Sequence, residues 1–294
     1  MLRFGTCSWK FPSWVDLVYG RDLVTQKRPD YLKEYAQKYS TVEVDQWFWS
    51  LFGEDKIALP RVDQVAEYLA AVPSSFRFTV KVSNAVTLTH FYKNVSGKEL
   101  KPNPYFYSPT LFSDFVGALG DLIDRTDALI FQFEYLNKKK MSGLSEFIDR
   151  TGEFLSQVEM PTSAAFEVRN PNYIKEPLFA FLKEHELTPV LSQGYYLPDI
   201  REVYDKYADY ITDRVIIRLL GPDREGIEKD TGKEWNSVVR PKDEEIPGIV
   251  DRATELLGRG VDVIVNVNNH YEGSAPLTIE KLKAAFFAAG YTPE

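Results

Sequence analysis

Cysteine and histidine are scarce in this chain of 294 residues, and their scarcity limits its chemistry. Cys7 is the only cysteine, which excludes an intrachain disulfide and a metal site built from several cysteines. The three histidines, His90, His185 and His270, do not have the spacing that would place two ligands on one face of a helix or strand. We therefore predict no metal site and no cofactor.

Long apolar runs are also absent. No stretch of about 18 apolar residues occurs, so no transmembrane helix and no membrane partner are expected. The opening residues, MLRFGTCSWK, lack the apolar core of a secretory signal. Together with the single cysteine, these absences indicate a cytoplasmic protein, and they leave its oligomeric state open.

Positive charge is in deficit. The chain has 35 Lys and Arg against 43 Asp and Glu, a formal net charge of -8 at pH 7. Such a balance argues against a broad, nonspecific nucleic-acid interface, because that binding depends on basic surface. A small, locally basic pocket remains compatible with it. We expect a small anionic or sugar-like ligand as the partner, and regard nucleic acid as possible but less favoured.

Familiar catalytic motifs are missing too. The chain has no glycine-rich dinucleotide fingerprint after its first strand, no Walker loop, no GxSxG and no Cys–His nucleophile pair. Candidate functional residues must therefore come from the predicted fold.

Eight short β-rich runs recur along the chain and predict eight strands. They are RFGTCS from Arg3, TVEVDQ from Thr41, FRFTVKVS from Phe76, ALIFQF from Ala128, SAAFEVR from Ser163, LTPVLSQ from Leu187, RVIIRLLG from Arg214 and VDVIVNVNN from Val261. Segments with helical spacing separate them. At this length the pattern favours an α/β fold, a single (β/α)8 barrel of TIM type with parallel strands, forming one domain over residues 1–294. An open doubly wound sheet is the alternative.

Side-chain alternation along these strands predicts a polar interior. Successive side chains of a strand point to opposite faces. In TVEVDQ the two valines point outward, toward the helices, and Glu43 and Asp45 point inward. The same alternation in the other strands gives the inferred lining of the carboxyl end, where barrel enzymes build their active sites: Glu43, Lys81, Gln132, Glu167, Arg169, Arg218, Asn266 and Asn268.

Roles follow from the chemistry of these side chains. A carboxylate beside cations has its ionised form favoured, so we predict Glu167 as a general base, with Glu43 and Lys81 as further catalytic residues. Aromatic rings near the strand ends offer flat faces to a sugar or a nucleobase. The predicted substrate-binding residues are Arg169, Arg218, Gln132, Asn268, His90, Trp9 and Trp49.

Two glycine-containing loops add a phosphate hypothesis. LGPDREG, from Leu219 to Gly226, and NNHYEGSAP, from Asn268 to Pro276, lie where barrels often bind phosphate. A fully paired structural network is the alternative explanation for the inner charges, since buried charges must be compensated.

Several segments, in order, resemble the domain-of-unknown-function-72 family, also called YecE-like. They are GTCSW, YAQKYSTVEVDQWFW, FRFTVKVSNAVTLTH, LIFQF, FEVRNPNY, IIRLLG and NNHYEGSAP. The resemblance spans nearly the whole chain and implies a (β/α)8 barrel. It implies no established activity, although some members have been proposed to resemble barrel endonucleases. The residues in matching places include Glu43, Lys81, His90, Gln132, Glu167, Arg169, Arg218 and Asn268.

The chain departs from the family pattern at several positions. Leu220, Ser274 and Asn170 stand where histidine is usual, and Ser192 and Gln193 stand where the family has an aspartate. The resemblance implies that any chemistry carried by those residues is altered or lost here.

Two functions of different classes follow from the sequence. The first is a metal-independent acid–base enzyme of hydrolase, lyase or isomerase type, acting on a phosphorylated or sugar-like substrate. The alternative is a non-catalytic binding module for a nucleic-acid end or an anionic metabolite.

Overall fold

Eight parallel strands alternate with helices and form a nearly closed barrel in the computed structural model, which describes residues 1–92 and 100–293. The barrel strands are β1 (Leu2–Thr6), β2 (Thr41–Val44), β5 (Arg77–Lys81), β6 (Thr126–Gln132), β7 (Ala164–Glu167), β8 (Thr188–Gly194), β9 (Arg214–Gly221) and β10 (Asp262–Val267). Their hydrogen-bonded order is β1-β10-β9-β8-β7-β6-β5-β2. Each predicted run overlaps one of these strands, so the predicted (β/α)8 barrel is confirmed.

Helices surround the strands. They are α1 (Arg21–Val24), α2 (Tyr31–Lys38), α3 (Val62–Ala71), α4 (Asn84–Thr87), α5 (Pro109–Leu119), α6 (Leu144–Leu155), α7 (Glu176–Glu184), α8 (Ile200–Tyr207), α9 (Arg224–Thr231), α10 (Ile246–Gly258) and α11 (Ala275–Ala288). An antiparallel hairpin that the periodicity did not predict, β3 (Leu51–Gly53) with β4 (Lys56–Ile57), follows β2. Over residues 1–92 and 100–293, no helix combines the length and the hydropathy needed to cross a bilayer.

The two faces of the strands build two separate apolar layers. Outward side chains such as Phe78 and Val80 of β5 are fully buried in the large core between strands and helices. Inward side chains form a small second core inside the barrel, made of Ala128, Ile130, Ala165, Ile216 and Ile264. The predicted alternation is therefore correct. It places the next inward residue of each strand, two positions further on, toward the carboxyl end of the barrel.

A tyrosine hydroxyl helps to close the barrel between its first and second strands. The backbone N–H of Thr6 in β1 donates to the Tyr35 hydroxyl at 3.0 Å, and that hydroxyl donates to the carbonyl of Thr41 in β2 at 3.1 Å. Glycine is required at position 5, because a Cβ there would lie 2.6 Å from the Thr41 carbonyl oxygen. One hydroxyl thus replaces a direct backbone hydrogen bond between the two strands.

We predict that Tyr35→Phe lowers the free energy of unfolding by about 1–3 kcal/mol, because it leaves a buried N–H and a buried carbonyl without a partner. Urea denaturation measures this. Tyr210→Phe is the control, since the Tyr210 hydroxyl donates to Glu176 at an exposed position and its loss is expected to cost less than about 0.5 kcal/mol. Equal effects of the two substitutions would contradict the role of Tyr35.

Candidate functional site

Arg218 of β9 lies at the centre of an ionic cluster inside the barrel. It follows Ile216 on the inward face, and its side chain is only 2% exposed. Its Nε and Nη2 donate to the two carboxylate oxygens of Glu43 at 2.8 and 2.7 Å, a bidentate geometry, and its Nη1 donates to Glu167. One guanidinium therefore joins carboxylates from two other strands, β2 and β7.

Two further cations lie nearer the solvent. The Lys81 Nζ is 3.4 Å from Glu43 Oε1, and the Arg169 Nη2 is 2.6 Å from Glu167 Oε1. Their side chains are 10% and 15% exposed, against 2% for Arg218. Lys81 and Arg169 thus form the accessible layer of the cluster, and Arg218 forms the sealed layer.

Neutral polar groups complete the sealed layer. The Gln132 side-chain oxygen accepts from Arg218 Nη1 at 3.2 Å, and the Asn266 amide donates to Glu43 at 3.3 Å and to the Thr79 hydroxyl at 3.0 Å. The Cys7 sulfur lies 3.7 Å from Arg218 Nη2. Burial, aided by the Glu43 charge, raises the pKa of the Cys7 thiol to about 12, so it stays protonated and is not an activated nucleophile.

The cations keep both buried carboxylates ionised. Burial opposes the ionisation of Glu167, but Arg169 and Arg218 outweigh it and hold the pKa of Glu167 at about 2. Burial also opposes ionisation of Glu43, whose pKa is nevertheless lowered by Arg218 and Lys81. Carboxylates with such low pKa values are weak bases. This argues against the general-base role that the sequence suggested for Glu167.

Asp45 is the acidic group of this region that sequence reasoning passed over. The alternation that directs Glu43 inward also directs Asp45 inward, two residues later, but Asp45 is not among the predicted site residues. It is half-buried just beyond the strand, and in the described part of the chain it forms no ion pair within 4 Å. Burial raises the pKa of Asp45, as does Glu43, whereas Lys81 and Arg218 lower it.

The two predicted tryptophans lie in different surroundings. Trp9 is fully buried, and its ring packs edge-on against Tyr68 at 5.2 Å between centroids. Trp49 is exposed, with its ring 6.0 Å from that of Tyr92. Neither hydrogen-bonds to the ionic cluster among the described residues.

Asn268 and His90 likewise bond to neighbours in their own loops. The Asn268 side-chain oxygen accepts the backbone N–H of His270 at 2.9 Å, and His270 Nε2 lies 3.0 Å from a carboxylate oxygen of Glu228. His90 Nδ1 is 3.0 Å from the Thr89 hydroxyl. Of the eight inferred lining residues, Asn268 belongs to a loop network. The other seven come together in the ionic cluster: Glu43, Lys81, Gln132, Glu167, Arg169, Arg218 and Asn266.

The predicted phosphate loop is already occupied by a carboxylate. Asp223 caps α9, accepting the Gly226 N–H at 2.9 Å, and it also accepts from Arg240 at 2.8 Å. A phosphate at this helix start would meet that negative charge, so the arrangement argues against phosphate binding there.

The family model "Protein of unknown function DUF72" matches residues 3–292. The chain belongs to the DUF72 family. The resemblance inferred from the sequence segments is therefore confirmed. No curated protein matches this DUF72 chain.

Solved DUF72 structures resemble it over nearly their whole length. A DUF72 protein from Enterococcus faecalis V583 is 20% identical with a TM-score of 0.68, over 98% of this chain and 96% of that chain. One from Thermotoga maritima MSB8 is 21% identical with a TM-score of 0.67, over 97% and 98%. At these identities the likeness shows a shared fold and says nothing of a shared activity.

The positions at which the sequence resemblance implies a different residue are mostly buried: Asn170, Ser192, Leu220 and Ser274 are buried, and Gln193 is partly exposed. The Asn170 amide forms two hydrogen bonds with the backbone of Leu136, at 2.7 and 2.8 Å, and so ties the loops after β6 and β7 together. Leu220 is buried without a polar atom to offer. Within the described residues, the buried hydroxyls of Ser192 and Ser274 have no hydrogen-bond partner.

No group of three or more His, Cys, Asp or Glu side chains is placed to hold a metal ion in residues 1–92 and 100–293. In the ionic cluster the two buried glutamates already accept from guanidinium and ammonium groups. Those oxygens are directed at cations of the protein itself.

Acid titration should reveal the cluster. The pKa of Glu167 is about 2 in the folded state against 4.5 ordinarily, so ionised Glu167 stabilises the fold above pH 4.5, and this contribution falls as the pH drops from about 4.5 to 2. The expected loss is at most about 3 kcal/mol. Urea denaturation between pH 5 and pH 2 measures it.

The variant Glu167→Gln tests whether this loss of stability at low pH comes from Glu167. The variant should be less stable at pH 7, because Arg169 and Arg218 lose a partner, and its stability should fall less on acidification than that of the wild type. Glu159→Gln, at an exposed glutamate, should keep the wild-type pH dependence. Parallel pH curves for the wild type and Glu167→Gln would contradict the assignment.

Proposed function

We propose that the protein binds a small anionic molecule at the carboxyl end of the barrel, where Lys81 and Arg169 contact the negative group. One observation carries the proposal. Within the described residues, the connected ionic cluster has two carboxylates, Glu43 and Glu167, and three cations, Lys81, Arg169 and Arg218. Two cations suffice to neutralise two carboxylates, so the groups paired within 4 Å carry one positive charge in surplus, and Asp45 interacts with Lys81 and Arg218 only at longer range.

The position of the surplus charge supports a ligand. A buried charge without a counter-ion is costly, and that cost falls when an anion approaches. Arg218 is sealed, but Lys81 and Arg169 keep some exposure to solvent. In addition, the buried Nε of Arg169 has no hydrogen-bond partner among the described residues. Arg169 is therefore an incompletely paired cation whose side chain is partly exposed, and such a group is suited to an incoming anion.

The charge of the whole chain limits the size of the ligand. At -8, the protein repels a long polyanion over most of its surface, whereas a single anionic group needs only the local cations. This supports a small molecule such as a phosphorylated or carboxylated metabolite over nucleic acid.

Inorganic phosphate and sulfate serve as probes. We expect millimolar binding to the wild type in isothermal titration calorimetry, weakened about 10- to 100-fold by Arg169→Met or Lys81→Met, because a hydrogen bond to a charged group contributes about 1.5–3 kcal/mol. Lys206→Met removes an exposed lysine on α8 and should leave binding unchanged. Binding that survives both mouth substitutions, or no binding at all, would contradict the proposal.

Acid–base catalysis on the same ligand is the second candidate function, and Asp45 is the observation that favours it. Its pKa is raised by burial, unlike those of Glu43 and Glu167. It is also free of ion pairs among the described residues and only half-buried. A carboxyl group whose pKa moves toward neutrality is the better proton carrier.

Asp45→Asn should therefore abolish turnover without abolishing binding. On a panel of phosphoesters we expect a loss of about 10²- to 10⁴-fold in kcat, the usual contribution of general acid–base catalysis, with phosphate affinity within a few-fold of the wild type. The control is Asp121→Asn at an exposed aspartate. A wild type that turns over no member of the panel would favour the binding function alone.

A further inference from the structure

A second feature lies beside the proposed anion site: an open cleft lined by Tyr135, Pro171, Asn172 and Tyr196, with a volume of about 610 Å³. These residues come from three neighbouring loops, those after β6, β7 and β8, at the carboxyl end of the barrel. The two tyrosines are 49% and 61% exposed. Large aromatic side chains are thus held at the surface next to a charged mouth.

The two tyrosine rings form a corner. Their centroids are 6.1 Å apart and their planes meet at 87°. A flat ring placed in such a corner stacks on one tyrosine and turns its edge toward the face of the other, and both are preferred aromatic geometries. The Asn172 amide adds one donor and one acceptor at the rim of the cleft.

The cleft and the anion site share residues that are adjacent in the chain. Pro171 and Asn172 follow Arg169 by two and three residues, so their Cα atoms lie within roughly 11 Å of that of Arg169. Tyr195, next to Tyr196, stacks on Arg169, with the guanidinium carbon 4.5 Å from its ring centroid. The cleft and the anion site therefore draw on the same two loops, those after β7 and β8.

The turn that carries these tyrosines has an unusual backbone. Tyr195 has φ +54°, a left-handed conformation that is uncommon for a residue other than glycine, and Gly194 has φ +144°. The Tyr195 N–H donates to the Gly221 carbonyl at 3.0 Å, and a Cβ on Gly194 would lie 2.4 Å from that same oxygen. Close packing against β9 therefore fixes the turn, with one tyrosine on Arg169 and the other in the cleft.

We propose that the cleft between Tyr135 and Tyr196 is a ring-binding subsite, in which a flat aromatic ring occupies the corner while its anionic group contacts Arg169. The ligand class is an aromatic or heteroaromatic ring joined to one anionic group, a chemistry shared by aryl phosphates and mononucleotides. This inference rests on the proposed function, since it extends the same anion site.

Four probes test it by calorimetry: inorganic phosphate, glycerol phosphate, phenyl phosphate and adenosine monophosphate. Phenyl phosphate should bind the wild type about 3- to 10-fold more tightly than glycerol phosphate, the gain expected for one or two aromatic contacts. Tyr135→Ala and Tyr196→Ala should each reduce that gain and leave the affinity for inorganic phosphate within about two-fold. Phe287→Ala, at an exposed aromatic residue on α11, should change neither.

The outcomes separate this inference from the proposed function. Phosphate binding that depends on Arg169, without any gain from a ring, overturns the subsite and leaves the anion site standing. An affinity for phenyl phosphate that Arg169→Met leaves unchanged, while the same variant weakens the binding of inorganic phosphate, overturns the link between the ring and Arg169. Inorganic phosphate binding that Arg169→Met leaves unchanged overturns the proposed function instead. A larger gain for adenosine monophosphate than for phenyl phosphate supports the subsite and indicates a nucleotide as the ligand. A larger gain for phenyl phosphate than for adenosine monophosphate also supports the subsite and indicates a simple aryl anion as the ligand.

Discussion

The ion pairs of Arg218 with Glu43 and Glu167 are the constraint on which the interior of this barrel depends. The three residues come from β9, β2 and β7, so one guanidinium holds strands that are not neighbours in the sheet. A slip of one residue in any of these strands would turn its charged side chain outward among Phe and Val side chains. Removing one partner would leave a buried charge uncompensated, which typically costs about 3–5 kcal/mol. The cluster therefore specifies strand register as well as a site.

Cationic side chains at different depths inside the barrel have different roles. The apolar layer of Ile130, Ile216 and Ile264 lies one inward position before Gln132, Arg218 and Asn266, and its side chains are fully buried. Above this layer, the N–H groups of Arg218 all donate to other side chains of the protein. Lys81 and Arg169, by contrast, are partly exposed at the mouth of the barrel. The same cations that make the mouth attractive to an anion also hold Glu167 ionised and weakly basic. Anion binding and base catalysis by Glu167 are thus in conflict, and the low pKa of Glu167 is the reason that the proposed function gives it no role as a base.

Alternation along the strands sufficed to predict the fold and the composition of the cluster, because a period of two determines which face each side chain occupies. It could not predict how deep each charge lies or which partner it takes, since these depend on register between strands far apart in sequence. Arg169 and Arg218 look equivalent in the sequence, yet one is at the mouth and the other is sealed. Nor does a local pattern reveal that Tyr35 bridges β1 and β2, or that Tyr135 and Tyr196 meet at a right angle. Asn268 fits the alternation that directs side chains inward, but its side-chain oxygen accepts the backbone N–H of His270 in the loop that follows β10.

One position at which the sequence resemblance implies a different residue lies beside the ionic cluster. Ser192 or Gln193 stands where the resemblance implies an aspartate, and Ser192 pairs in register with Arg218, two residues after the inward-packed Val190. An aspartate at position 192 would share the inner face with the cluster and match its three cations with a third carboxylate. Serine removes that charge and leaves a buried hydroxyl without a partner among the described residues. Under the proposed function, the ligand supplies a negative charge that an aspartate at position 192 would otherwise provide.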